Sequence, residues 1–522
     1  MDVKQALMLK LKEAKHVCMK LFSEDPMESL YMIDIIQRLG IEHLFEEEIE
    51  VALQNQQMIL SNIISPNDFF NRHQLYQVAH TFRLMRQGGH YVNADVVDSL
   101  MKSNKIEFIE KYGEDVKGLI ALYEAAQLSI EGEDSLEDAG HLSYQLLNAW
   151  LTRHKDHHEA TYVANTLHHP LHYSLSRFRD IADVFLSDFK TKKEWTCLEE
   201  LAEINSCIVR LMNQIEIIQV YKWWKDLGLG KEVEFGRYEP LKWYMWPMAC
   251  FTDPSFSDQR IELTKPISLV YVIDDIFDVH GTRDQLTIFT DAVNRWELAG
   301  TEQLPEFMKT CLRALYDITN DFSEKIYKKH GLNPIHILKK SWVRLLNAFL
   351  EEAHWLNSDH LPKAEEYLNN GIVSTGVHVV LVHAFFLLVQ DINKETVAII
   401  DDFPDIIYSV AKILRLSDDL EGAKSEDQNG RDGSYLDCYI NEHQGISAED
   451  AQEHVAHLIS KEWKRLNREI IITPNAIPSS FNKFCLNAVR MVPLMYNYRS
   501  DPSLLSLQEH VRSLVKAGAT HI

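Results

Sequence analysis

Residues 266–282, PISLVYVIDDIFDVHGT, decide how this chain is read. The residues from Ile267 to Ile273 are mostly apolar and lead straight into Asp274, Asp275 and Asp278. In a helix, Asp274 and Asp278 stand four residues apart and share one face, whereas Asp275 points off it. Carboxylates gathered at the end of a buried segment repel one another and are costly to desolvate. A cation relieves both problems, and a carboxylate-only DDxxD set favours Mg²⁺ or Mn²⁺ over zinc. A lone DDxxD is also the pattern of an ordinary solvated acidic face, so it needs a partner.

The partner is ILRLSDDLEGAKSEDQ, residues 413–428. Asp418, Gly422 and Glu426 recur every four residues and drift slowly around one helical face, with Arg415 three residues before Asp418 on nearly the same side. Two acidic patches and an arginine, each led in by an apolar run, suit several Mg²⁺ ions gathered around a diphosphate. Together these stretches resemble the two metal motifs of plant terpene synthases of the ionisation-initiated, class I kind. The resemblance runs from about residue 25 to the C-terminus.

The resemblance implies three Mg²⁺ ions, with Mn²⁺ as a substitute, held by Asp274, Asp278, Asp418 and Glu426, with Asp275 in support. The family's second motif is (N/D)Dxx(S/T)xxxE; Gly422 stands at its hydroxyl position, and a water is expected to replace the missing ligand. An RxR pair is expected some 35 residues before DDxxD. Arg237 lies 37 residues before Asp274, but Glu239 occupies the partner position. Trp246 matches an active-site aromatic of the family, while Trp243 and Tyr244 are read as core. YLNNGIVSTG (367–376) matches a broken helix whose freed carbonyls line the pocket, bringing in Ser374, Thr375 and Gly376. Tyr496 matches a pocket-lining position, whereas SDPSLLS (500–506) departs from the family's DGYT-type lid loop. The tandem-arginine RRx8W motif is lacking, as in the subfamily that makes acyclic terpene alcohols, and the chain begins downstream of where it would lie.

Apolar residues recur at helical spacing almost throughout, as in Leu30, Ile33, Ile36 and Leu39, which predicts an all-α protein. At 522 residues it is too long for one core. We expect an N-terminal helical, barrel-like domain over 1–200 without a catalytic site, and a C-terminal class I helical bundle over 201–522. The boundary is placed where KTKKEWTCLEELAE breaks the apolar pattern near 195–210. A net charge of −24 disfavours nucleic acid and anionic membranes as partners. Seven scattered cysteines without CxxC read as reduced thiols. The longest apolar run, around Val377 to Val389, is too short to span a bilayer. The N-terminal MDVKQALMLKLKEAK carries acids and resembles neither signal nor transit peptide, so a cytoplasmic monomer is expected. The histidines at 154, 157, 158, 168, 169 and 172 lack HExxH and read as exposed or capping groups rather than a zinc site.

The chemistry implied is loss of diphosphate from farnesyl or geranyl diphosphate. Arg237 and Arg415 add fixed positive charge, and water capture gives nerolidol or linalool. The alternatives are a cyclising mono- or sesquiterpene synthase, a chain-elongating prenyltransferase and a non-catalytic helical scaffold. The prenyltransferase draws on a second literal DDxxD at Asp401, Asp402 and Asp405. Because Pro404 sits inside it, we read 401–405 as the cap of the helix that delivers Arg415 and Asp418.

Overall fold

The structure, a computed structural model, describes residues 8–9, 12, 15–16, 26–62, 74–97, 105–157, 159–175, 193–229, 240–357, 361–390, 392–422, 433–472 and 477–496. Among them every regular element is helical, and no strand occurs. The helices are α1 Pro26–Arg38, α2 Glu46–Asn62, α3 Leu75–Gln87, α4 Lys105–Tyr112, α5 Val116–Ala126, α6 Asp134–Arg153, α7 Ala160–His168 and α8 Lys193–Leu227. They continue as α9 Pro240–Cys250, α10 Ser257–Asp275, α11 Arg283–Arg295, α12 Glu306–His330, α13 Ile335–Asn357, α14 Ala364–Ser374 and α15 Val377–Leu388. The last are α16 Lys394–Asp401, α17 Asp405–Gly422, α18 Tyr435–Glu442, α19 Ala448–Ile472 and α20 Ser479–Tyr496.

The described residues group into two compact units, one within Met1–Leu211 and Asn467–Pro474, the other within Met212–Leu466 and Asn475–Pro502. In the first, α5 starts where Asp115 accepts from the Gly118 amide. Its apolar face packs with α3 and α6 around Phe82, Leu119, Leu122, Leu142 and Trp150, all buried. Each such side chain contributes roughly 1.5–3 kcal/mol. Buried charge here is paired: Arg86 forks onto Glu133 at 2.6 and 2.5 Å. Several histidines of this unit are engaged in hydrogen bonds or ring contacts. His172 Nε2 meets Asn467 Oδ1 at 2.7 Å, and His154 stacks on Trp150 at 4.8 Å.

The stretch 195–210 lies within α8, a single helix of 35 residues, and the two units divide inside that helix, after Leu211. One expectation changes. The apolar run around Val377 extends over Ala364–Leu388, 25 residues, long and apolar enough by composition to cross a membrane. It is 72% buried within the protein, as a core segment is.

In the second unit α10 packs on α9, α12 and α15, and α17 packs on α14, α15 and α20. The expected continuous helix through Asp278 also differs. The α-helix ends at Asp275, and Ile276–His280 form a wider π-turn closed by the Gly281 amide on the Ile276 carbonyl at 2.8 Å. A larger residue there would have to displace Leu286, since a Cβ would lie 2.2 Å from Leu286 Cδ2. Thr282 and Gln285 then start α11 as a capping box.

Candidate active site

A cavity of about 940 Å³, counting the space at its open mouth, lies among α9, α10, α14, α15, α17 and α20. Its wall is apolar and aromatic, including Trp246, Ile267, Val270, Val377, Leu381, Leu414 and Phe484. Its polar groups are Tyr271, Asp274, Ser374, Thr375, Arg415 and Asp418. An apolar body with a few polar groups is the usual build of a small-molecule site.

Asp274 sits in the last turn of α10. Burial holds its carboxyl well above the ordinary range, Asp278 and Glu352 push the same way, and Arg415 opposes them. Asp418, across the cavity on α17, is also raised by burial against the pull of Arg415 and Lys242. Asp278 lies in the π-turn and is exposed, and Asp275 is 5% exposed and not part of the cavity wall.

Arg415 is fixed by its neighbours. Nε donates to the Gly371 carbonyl at 3.3 Å and Nη2 to Ser374 Oγ at 3.1 Å, and Ser374 in turn donates to Glu352 at 2.6 Å. Gly371 permits this approach, since a Cβ would sit 3.2 Å from Arg415 Nε. The helix does break as expected between α14 and α15. Gly376 turns there with φ +68°, and its Cβ position is 2.6 Å from Val270 Cγ1. The carbonyls of Gly371, Ile372, Val373 and Gly376 accept hydrogen bonds within the break or from Arg415, which leaves those of Ser374 and Thr375 as the break's candidates for the pocket.

Ser374, Thr375, Trp246, Arg415, Asp274 and Asp418 are thus brought to one cavity, with Gly376 at its edge. Gly422 is the last residue of α17 and is not in the wall. Arg237, Glu239, Glu426 and the 500–506 loop lie outside the described residues, as does the side chain of Tyr496. Trp243 and Tyr244 are core as expected; Tyr244 donates to Glu216, which also takes Arg260. The sequence reading missed four groups. Glu352 acts on Arg415 through Ser374. Asp419, pushed up to about 6 by burial, accepts from Tyr367 and from the Tyr435 amide. Tyr271 was within reach of the reading, three residues before Asp274 on the same helix; Glu352 and Tyr367 carry no motif.

Among the described residues no three His, Cys, Asp or Glu side chains converge as a ready-made chelate. The donor chemistry nevertheless fits a hard divalent cation. Asp274 and Asp418 are carboxylates held above their ordinary pKa in a shared cavity, a state a cation relieves.

A cavity with an apolar body, two carboxylates and a fixed arginine, set in an all-helical unit, suits a ligand with an apolar chain and an anionic head. Two family models match: "Terpene synthase, N-terminal domain" over residues 2–171 and "Terpene synthase family, metal binding domain" over 225–465. The chain belongs to the terpene synthase family, and it is an enzyme acting on prenyl diphosphates with divalent metal. It is 75% identical to a neryl diphosphate diphosphatase, chloroplastic, from Glycine max, over 98% of this chain and 95% of that one. It is 44% identical to an S-(+)-linalool synthase, chloroplastic, from Arabidopsis thaliana, over 94% of this chain and 84% of that one. Isoprene synthase from grey poplar (Populus x canescens), solved with three Mg²⁺ ions and dimethylallyl-S-thiolodiphosphate, superposes with a TM-score of 0.87 at 30% identity, over 98% of this chain and 96% of that one. The cytoplasmic expectation is overturned, because both named relatives are chloroplastic.

Proposed function

We propose that this protein ionises a ten-carbon prenyl diphosphate, neryl diphosphate first, and ends the reaction with water to release an acyclic terpene alcohol. Catalysis is assigned to the region 201–522, with no site in 1–200. The observation that carries the reading is the pairing of an apolar, aromatic cavity with Asp274, Asp418 and a fixed Arg415. The 75% identity to a relative named for neryl diphosphate supports the choice of substrate.

Asp274, Asp278 and Asp418, joined by Glu426, would hold Mg²⁺, three ions as in the isoprene synthase complex, or Mn²⁺. When bound, the ions neutralise the departing diphosphate as Lewis acids. Arg415 presents fixed charge where that negative charge develops, and Arg237 adds to it. The carbon–oxygen bond breaks with its electron pair passing to the diphosphate. Trp246 and the aliphatic wall face the allylic cation and limit water. One water then forms the new carbon–oxygen bond, and its proton leaves with the diphosphate. Neryl diphosphate already has the cis double bond that ring closure needs. An acyclic product therefore requires that water reach the cation before the distal alkene does.

The test is incubation of the purified protein with Mg²⁺ and neryl, geranyl or farnesyl diphosphate separately, in ¹⁸O-labelled water, with mass-spectrometric product analysis. The expected result is labelled acyclic alcohol, mainly from neryl diphosphate, with linalool or nerolidol from the other two as lesser products. An unlabelled alcohol would mean cleavage at phosphorus, and a mainly cyclic hydrocarbon profile a cyclase; either overturns the reading.

A further inference from the structure

The hydroxyl-bearing residues of the cavity wall differ in what they have left to give. Ser374 Oγ donates to Glu352 at 2.6 Å, and Thr375 Oγ1 donates to the Ile372 carbonyl at 2.9 Å. Tyr271 Oη instead accepts the indole N–H of Trp246 at 3.1 Å, and among the described residues its own proton has no acceptor. Tyr271 stands three residues before Asp274 on α10, so the two share a face. The phenol lies on the border between the aromatic wall and the acidic groups. A hydroxyl at such a border is solvated by whatever the cavity holds.

We propose that Tyr271 stations the water that ends the reaction, and so decides how much alcohol the enzyme makes. The inference rests on the water-terminated reaction proposed above. The phenol donates to the water oxygen through one lone pair, leaving the other to attack the cation. The carbon–oxygen bond forms from that lone pair, and the surplus proton passes to the released diphosphate. Burial, with Asp274 and Asp418 nearby, pushes the phenol up to about 12, so it keeps its proton through the physiological range. The Trp246 hydrogen bond fixes where the phenol stands without using its proton. Tyr271 is therefore a positioning residue, and the quantity it controls is product partition.

Tyr271→Phe keeps the ring and removes the donor. With neryl diphosphate, the ratio of acyclic alcohol to hydrocarbon should fall about fivefold, the weight of one hydrogen bond in a partition. Total diphosphate release should stay within about threefold. Trp246→Phe removes the same hydrogen bond from the other side but leaves the phenol. It should slow turnover and, because the phenol keeps its proton but loses its anchor, lower the alcohol fraction clearly less than Tyr271→Phe does. An unchanged alcohol fraction in Tyr271→Phe overturns the inference. So does an equal loss in both variants, which would mean that Tyr271 acts only by holding the indole, and so does slower diphosphate release at unchanged partition, which would make it a diphosphate contact. A wild-type protein that makes no labelled alcohol from any substrate would instead overturn the proposed function itself.

Discussion

Asp34 in the N-terminal unit is wedged between Arg38, at 3.0 Å, and Arg83. Burial alone would raise its carboxyl, but the two guanidiniums hold it far below the usual range. Asp274 at the end of α10 also loses hydration, though it stays partly exposed to the cavity; it faces Asp278 and Glu352 with Arg415 opposing, and it is held well above that range. One residue type, twice drawn out of bulk water, is compensated in one place and left in conflict in the other. The first arrangement fixes helices. The second has no structural purpose until a cation arrives, and strongly perturbed groups in a cleft are the mark of a working site.

The contrast can be broken by removing each charge. Asp34→Asn strands two buried guanidiniums and should cost about 3–5 kcal/mol of stability, read by denaturant titration. It should leave turnover per folded molecule near wild type. Asp274→Asn and Asp278→Ala should do the reverse: turnover falls about 100-fold or more, while the thermal midpoint without metal holds or rises as repulsion is relieved. Near-normal turnover in Asp278→Ala with Mg²⁺ as sole metal would remove the assignment.

A smaller effect separates the units by pH. His80 in the first unit is pushed down to about 3 by burial, and His378 and His383 in the second to about 4 each. A histidine neutral when folded and protonated when unfolded loses stability as pH falls below its ordinary value near 6.5. Each should therefore contribute a loss approaching about 1.4 kcal/mol per pH unit on the acid side. Asp419, raised to about 6, works the other way between that pH and its ordinary 3.8. Asp274 and Asp418, also raised by burial, oppose the histidines in the same way, so the histidine part, a fall in thermal midpoint from pH 7 to pH 5, is read as the difference between wild type and variant. His383→Phe, which replaces a ring packed against Phe322, should flatten that slope. A slope unchanged in this variant would show that His383 is not neutral when folded.

Much of the site was legible because its motifs are local. DDxxD and the Arg415–Asp418 spacing are each confined to one or two helical turns, and the glycines of 367–376 announce a break. What was not legible depends on distant chain. The π-turn after Asp275 is closed by Gly281 under Leu286, a packing fact that no DDxxD pattern carries. Glu352 comes from α13 and accepts from Ser374 of α14, which in turn accepts from Arg415. The carbonyls of Gly371, Ile372 and Val373, just before the break, are taken by Thr375, Gly376 and Arg415. The stretch 195–210 runs inside the continuous helix α8, and the two units divide after Leu211 in that same helix; composition alone does not tell such a helix from a linker.

The smallest expected effect concerns the second DDxxD. Asp401 ends α16 and Asp402 caps it, while Phe403 turns the chain with φ 52°. Only Asp405 lies in the first turn of α17, so the capping assigned to the whole 401–405 stretch narrows to that residue. Asp401 stands at a helix C-terminus, where a negative charge is unfavourable. Lys340 offsets it, donating to its carbonyl at 2.7 Å and to its carboxylate at 3.0 Å. The pair is half exposed, and such pairs are worth at most about 1 kcal/mol. Replacing Asp401 and Asp402 together by Asn should therefore shift stability by less than about 1 kcal/mol and leave turnover and product partition unchanged. Loss of turnover at an unchanged thermal midpoint would give this motif a metal of its own. The chain-elongating reading would then return, with consumption of isopentenyl diphosphate as its direct check. Unchanged turnover would leave Asp274 and Asp418 as the charges that matter, because they are buried in conflict, whereas Asp401 is paired with Lys340 at the surface.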